Sequence, residues 1–131
     1  MRGIYPPILT DRGLVAALTA LAGDAPLTVV VEASELGELP AAVESAAYFV
    51  VAEALANTVK HAAADECVVT LRRSGDVLAL AVRDDGCGGA DPSGSGLDGL
   101  QRRVEALDGT MEVTSPPGGP TTVQAELPCA S

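Results

Sequence analysis

Glu53, Asn57, Lys60 and His61 stand at i, i+4, i+7 and i+8 in an Ala- and Val-rich segment free of Gly and Pro. At about 100° per residue, this spacing predicts one polar face on an otherwise apolar helix. An amide oxygen such as that of Asn57 suits Mg²⁺, a hard cation that takes oxygen ligands. A carboxylate beside it, Glu53, can hold a metal-bound water or accept a proton. Each of these residues alone is explained by a solvated helix face. The four together, near two Gly-rich loops, point to chemistry.

The first of those loops is Val82-Arg83-Asp84-Asp85-Gly86-Cys87-Gly88-Gly89, where a strand runs out into an acidic turn. Glycine lets backbone approach a ligand without a Cβ in the way. A carboxylate at the strand end accepts a hydrogen bond from an exocyclic amino group, which separates adenine from guanine by donor pattern. Asp-Asp-Gly is also ordinary turn chemistry, and alone it would carry no more than that. The second loop, Gly94-Ser95-Gly96-Leu97-Asp98-Gly99-Leu100, leads into a helix. N–H groups at a helix start and a loop without bulky side chains can fold over phosphates. Cys87 has no base partner in sequence and is assigned no chemistry.

Composition narrows the field. The chain has 131 residues, 47% of them hydrophobic, which fits one domain with one core. One Phe, two Tyr and no Trp leave that core to Ala, Val and Leu, and leave no stacking platform for single-stranded nucleic acid. A net charge of −10 repels phosphate backbones and anionic lipid, so neither nucleic acid nor direct membrane contact is expected. Lys60 is the only lysine and no G-x-x-x-x-G-K-[ST] loop occurs, which excludes a P-loop enzyme. Cys67, Cys87 and Cys129 are odd in number and widely spaced, and read as reduced thiols of a cytoplasmic domain.

The elements that must position these residues follow from periodicity. A helix capped by Thr10 or Asp11 carries Leu14, Val15, Leu18 and Leu21 and stops near Gly23. A strand is expected at 27–32, and a long central helix from Ala41 to about Ala63. Residues 68–72 and 77–82 flank Ser74-Gly75-Asp76 as a hairpin. Residues 84–95 are loop, 97–107 helix with Gly109 as its stop, and 111–114 and 121–127 a second hairpin around Pro116 to Pro120. Helix, strand, helix, hairpin, helix and hairpin suit helices packed on a sheet, and accommodate the α/β two-layer sandwich, a mixed sheet covered on one face by about three helices, that the resemblance of these motifs to a known family implies.

In this order and spacing, Glu-Ala-Leu-x-Asn-x-x-Lys-His, Asp-Asp-Gly-x-Gly and Gly-x-Gly-Leu-x-Gly-Leu-x-x-Arg-Val-x-x-Leu-x-Gly resemble the three boxes of the ATP-binding catalytic domain of bacterial two-component sensor histidine kinases. The wider family is the Bergerat-fold ATPases, and the subclass resembled is the one paired with helix-turn-helix response regulators. The opening Gly3-Ile4-Tyr5-Pro6-Pro7-Ile8-Leu9 is similar to the segment that joins that subclass's phosphoacceptor helices to the domain. On this basis residues 1–12 are expected to be linker and 13–131 the catalytic domain.

The resemblance implies ATP and Mg²⁺ as cofactors. It implies Asn57 as Mg²⁺ ligand and Glu53 as its catalytic neighbour, holding metal water or assisting proton transfer. Lys60 and His61 are implied near the phosphates and Asp84 on adenine. Gly86 and Gly88 would shape the adenine-side turn, Gly94, Ser95 and Gly96 the lid over the phosphates, and Leu97 a contact to the nucleotide. The family's phosphoacceptor histidine lies in upstream dimerising helices, whereas the only histidine here, His61, falls inside the first box. The chain alone is therefore expected to bind ATP as a monomer without autophosphorylating. Its partners are the parent kinase's phosphoacceptor helices and, through the parent, a response regulator; the parent itself could be membrane-anchored. A stand-alone anti-sigma-factor serine kinase and a non-catalytic nucleotide-binding module are the alternative readings.

Overall fold

A computed structural model of the chain describes residues 7–33, 36–59, 65–86 and 97–129, with backbone alone at 7–12, 97 and 98. Five strands form one sheet: β1 (Thr28–Ala33), β2 (Glu66–Ser74), β3 (Val77–Asp84), β4 (Thr110–Thr114) and β5 (Thr121–Pro128), in the order β1-β2-β3-β5-β4. β1 and β2 are parallel, as a connection through the helix α2 (Ala41–Asn57) requires. The other pairs are antiparallel, two of them hairpins. The expected mixed-sheet α/β sandwich is the observed fold.

Strand alternation puts one face of the sheet in the core. Val69, Val82 and Val123 form one buried cross-strand row, and Leu71, Leu80, Ala125 and Met111 the next. Helices α1 (Pro7–Asp24), α2 and α3 (Leu97–Ala106) cover this face. The opposite face carries Arg72, Glu112, Gln124 and Glu126, all exposed. With so few aromatics, the packing is done by β-branched and Leu side chains against small helix residues. Ala46 and Ala47 of α2 are fully buried, which lets that helix sit close to the sheet.

The helices depart from expectation where the backbone, not the pattern, decides. α1 starts at Pro7 and is interrupted at Gly13, whose φ of 85° and ψ of 176° are accessible only to glycine at little cost. Its buried stripe is Leu14, Ala17 and Leu18; Val15 points outward, because a position one residue from Leu14 lies 100° around the helix. α2 is regular α-helix to Asn57 and continues through Thr58 and Val59 with π-type bonding, while the rest of the expected helix to about Ala63 lies outside the described residues. Val59 is 48% exposed. The segment leading into α2 is tied down by Arg73 of β2, whose guanidinium donates to the carbonyls of Leu36 (2.9 Å), Glu38 (2.7 Å) and Gly75 (3.1 Å).

The end of α3 also differs from the sequence reading. The residue in the left-handed conformation is Asp108 (φ 65°), with Gly109 N–H donating to Val104 O and Asp108 N–H to Glu105 O, both at 2.9 Å. This is a Schellman end in which Asp108 takes the place usually held by glycine. Gly109 is required for a different reason: a Cβ there would lie 2.4 Å from the Glu126 carbonyl oxygen of β5 and 3.0 Å from Val104. The glycine lets the chain turn directly against the sheet and start β4. Gly109→Ala is accordingly expected to destabilise by about 1–3 kcal/mol through overpacking. Asp108→Gly is expected to leave stability unchanged or raise it, by up to about 1 kcal/mol. Urea unfolding of the two variants checks both, and an unaffected Gly109→Ala midpoint would contradict the close-approach reading.

Candidate functional site

β3 delivers Asp84 as its last residue, with its side chain on the helix-covered face and only 4% exposed. A buried carboxylate needs donors, and both of its oxygens have one. Oδ1 accepts the backbone N–H of Gly86 at 2.9 Å, closing a tight turn out of the strand. Oδ2 lies 2.9 Å from the hydroxyl of Thr58, at the end of α2. Thr58 is itself 5% exposed. The contact therefore joins the C-terminal end of α2 to the C-terminal end of β3, and brings Asn57 to the same end of the sheet as Asp84.

Asp85, next in sequence, does something else. Its side chain faces solvent, and Oδ1 accepts N–H groups from Asp65 (3.0 Å) and Glu66 (3.1 Å) at the start of β2. Donation from the Glu66 N–H above all, with desolvation opposing it and the Asp65 N–H adding to it, holds its carboxyl below the ordinary aspartate range. Of the Asp-Asp pair, the second is the structural staple and the first is the inward-facing acceptor. The resemblance already sets Asp84 apart, and the alternation of β3, buried at Leu78, Leu80, Val82 and Asp84, gives the physical reason.

Cys67 of β2 lies directly across from Asp84 in the strand pairing and is fully buried. Burial, then the charges of Asp84 and Asp85, push its thiol up to about 12. Cys67 and Cys129 are free and buried, in keeping with the reduced thiols expected, whereas Cys87 lies outside the described residues.

Glu53 and Asn57 occupy successive turns of α2 and are both partly exposed. Among the described residues no group of three His, Cys, Asp or Glu could hold a metal ion. The donor set, one amide and one carboxylate a turn apart, suits a Mg²⁺ that takes its remaining ligands from phosphate and water rather than an all-protein cage. Lys60, His61, Gly88, Gly94, Ser95 and Gly96 lie outside the described residues, as does the side chain of Leu97. Gly86 is buried and bonded to Asp84 as the turn requires. Beyond the residues expected from sequence, the structure adds Thr58, and also Phe49, whose ring is covered by the Arg103 guanidinium of α3 at 4.7 Å from its centroid. That stack fixes α3, which follows the second Gly-rich loop, onto α2.

The Cys67 environment yields a direct test. A thiol whose folded value is raised contributes stability that is complete below its ordinary value of 9.0 and is lost as pH climbs toward about 12. At about pH 8 the native thiol is expected to resist iodoacetamide, and to react once urea unfolds the chain. Peptide mass mapping reads this, and native labelling at Cys67 would contradict the buried, acid-flanked placement.

Comparison with known proteins places this geometry. Residues 42–131 match the family described as histidine kinase-, DNA gyrase B-, and HSP90-like ATPase. The oxygen sensor histidine kinase NreB of Staphylococcus carnosus is 36% identical over 91 residues, covering 66% of this chain and 26% of NreB. The histidine-protein kinase/phosphatase UhpB of Salmonella typhimurium is 38% identical over 79 residues, 58% of this chain and 15% of UhpB. The chain thus spans about a quarter or less of these relatives. Among solved structures, the histidine kinase domain of a blue-light activated kinase from Erythrobacter litoralis superimposes with a TM-score of 0.66 at 28% identity, covering 91% of this chain and 58% of that one. The histidine kinase AdeS of Acinetobacter baumannii shares the fold, with a TM-score of 0.63 at 14% identity over 90% of this chain and 62% of that one. With more than half of its length matched by the family model, this chain belongs to the histidine kinase-, gyrase B- and HSP90-like ATPase family.

Proposed function

We propose that this chain is the ATP-binding catalytic domain of a sensor histidine kinase, donating the ATP γ-phosphoryl to a histidine carried on separate dimerising helices. The observation that carries the reading is Asp84: a buried carboxylate, held on both oxygens, at the strand end beside the helix that bears Glu53 and Asn57. Its acceptor oxygens suit the exocyclic amine of adenine and disfavour the carbonyl that guanine presents there. The sequence similarity to sensor kinases, rather than to stand-alone serine kinases, supports the histidine-directed branch.

In this reading Asp84 binds and orients the base, while the Asn57 amide oxygen holds Mg²⁺ and Glu53 orients a metal water or takes a proton from the incoming nucleophile. When bound, the metal neutralises charge on the phosphates, which is the chemistry that phosphoryl transfer chiefly needs beyond positioning. Lys60 and His61 act on the phosphate side, and Gly88, Gly94, Ser95, Gly96 and Leu97 form the adenine turn and the cover. Residues 1–12 serve as the link to the phosphoacceptor helices, with 13–131 the catalytic unit. No helix of the described residues is long and apolar enough to cross a membrane. The domain works in the cytoplasm as a monomer unit of a dimeric parent, and a response regulator receives the phosphoryl group from that parent.

Two outcomes test this. In calorimetric titration with a non-hydrolysable ATP analogue, Mg²⁺ is expected to tighten binding to the natural chain. Asn57→Ala is expected to abolish that gain while leaving metal-free binding in place; an unchanged Mg²⁺ response in Asn57→Ala would remove Asn57 from the metal site. Labelled ATP is expected to give no stable phosphorylation of the chain alone and labelling of the parent's histidine-bearing helices when they are supplied. Strong labelling of the isolated chain would contradict the assignment.

A further inference from the structure

We infer that Thr58 is the positioning residue that sets base selectivity, by delivering its one hydroxyl proton to Asp84. This rests on the adenine-binding reading of Asp84 and deepens it. The Thr58 hydroxyl has two acceptors in range, the Ala54 carbonyl at 3.0 Å and Asp84 Oδ2 at 2.9 Å, and one proton to give. Ala54 O already receives the backbone N–H of Thr58, so it is satisfied without the hydroxyl. For Asp84 Oδ2 the Thr58 hydroxyl is the donor the described residues provide, and a carboxylate is the stronger acceptor. The proton therefore belongs to Asp84. The i−4 contact to Ala54 is the secondary one, of the kind common for Ser and Thr in helices.

The backbone explains how a helix residue reaches a strand end. Thr58 keeps helical dihedrals (φ −59°, ψ −46°) and lies three and four residues beyond Leu55 and Ala54, so it continues the buried stripe of α2 to the end of β3. Thr58 turns inward to 5% exposed while its neighbour Val59 turns out to 48%. With Gly86 N–H on one oxygen and Thr58 on the other, the carboxylate plane of Asp84 is fixed before any ligand arrives, and the remaining lone pairs are aimed. Thr58 also follows Asn57 directly, so the same turn of chain that holds the base reader carries the proposed metal ligand.

The test compares adenosine diphosphate with inosine diphosphate, which differ at the amino group that Asp84 is positioned to read, without Mg²⁺. Calorimetry on the natural chain is expected to show a preference for the adenine nucleotide. Thr58→Val, of matching shape without the hydroxyl, is expected to lose about tenfold or more in that affinity while inosine diphosphate binding changes little, so that the selectivity ratio collapses. Thr58→Ser is expected to keep the ratio. A merely structural role would lower the melting temperature without moving the ratio. Should Thr58→Val not fold, Thr58→Ala supplies a second hydroxyl-free chain for the same ratio. A natural ratio in the hydroxyl-free variant, or a collapsed ratio in Thr58→Ser, overturns the inference. Failure of the natural chain to bind either nucleotide instead refutes the nucleotide reading on which it rests.

Discussion

A carboxylate that is 4% exposed must have donors for its oxygens, and meeting that demand at Asp84 fixes the relation between the two layers of this domain. One donor comes from the turn that leaves β3, the other from the end of α2. Thr58 reaches Asp84 because it continues the buried stripe of Val50, Val51, Ala54 and Leu55 along α2. The sheet supplies the rigid floor: β3 is central, paired on both sides, and its Val82 and Leu80 are locked in the core rows. A site whose acceptor sits at the end of such a strand is held more firmly than one built on a loop.

Charge makes the same arrangement necessary from another direction. A chain with a net charge of −10 does not attract a polyphosphate over its surface as a whole, so binding has to be local. In the proposed function the task is divided between backbone N–H groups at helix and loop starts, a divalent cation, and a base reader that is itself anionic but aimed at an amine. Asp85, one residue from Asp84, is kept out of the pocket by its bonds to the start of β2, which prevents two carboxylates from crowding one site. Cys67 beside Asp84 adds a small neutral filler, whose thiol burial keeps uncharged.

Much of this was legible in the sequence. Strand alternation, hairpin turns and helix periodicity gave every element in order, because their buried faces follow simple periods of 2 and 3.6 residues. The three motifs named the family, and Glu53, Asn57, Asp84 and Gly86 fall at one end of the sheet as their spacing suggested. What escaped was set by backbone geometry that no period encodes. Thr58 falls on the buried stripe of α2, but no helical period names Asp84, 26 residues on, as the partner of its hydroxyl. Gly109 reads as a helix stop, yet Asp108 takes the left-handed position and Gly109 answers to the Glu126 carbonyl. The break at Gly13 lies in a run whose apolar spacing is continuous. In each case a contact between distant segments, or one dihedral, overrides the local pattern.

The central claim is that Asp84 is the base reader of an ATP site, and exchanging its carboxylate for an amide tests it most directly. Calorimetric titration of the natural chain and of Asp84→Asn with adenosine diphosphate, alongside thermal melts to establish that both are folded, isolates the carboxylate. The account predicts a folded Asp84→Asn whose affinity falls by about tenfold or more, as expected for loss of a charge-assisted hydrogen bond. A folded Asp84→Asn that binds adenosine diphosphate as the natural chain does would contradict it.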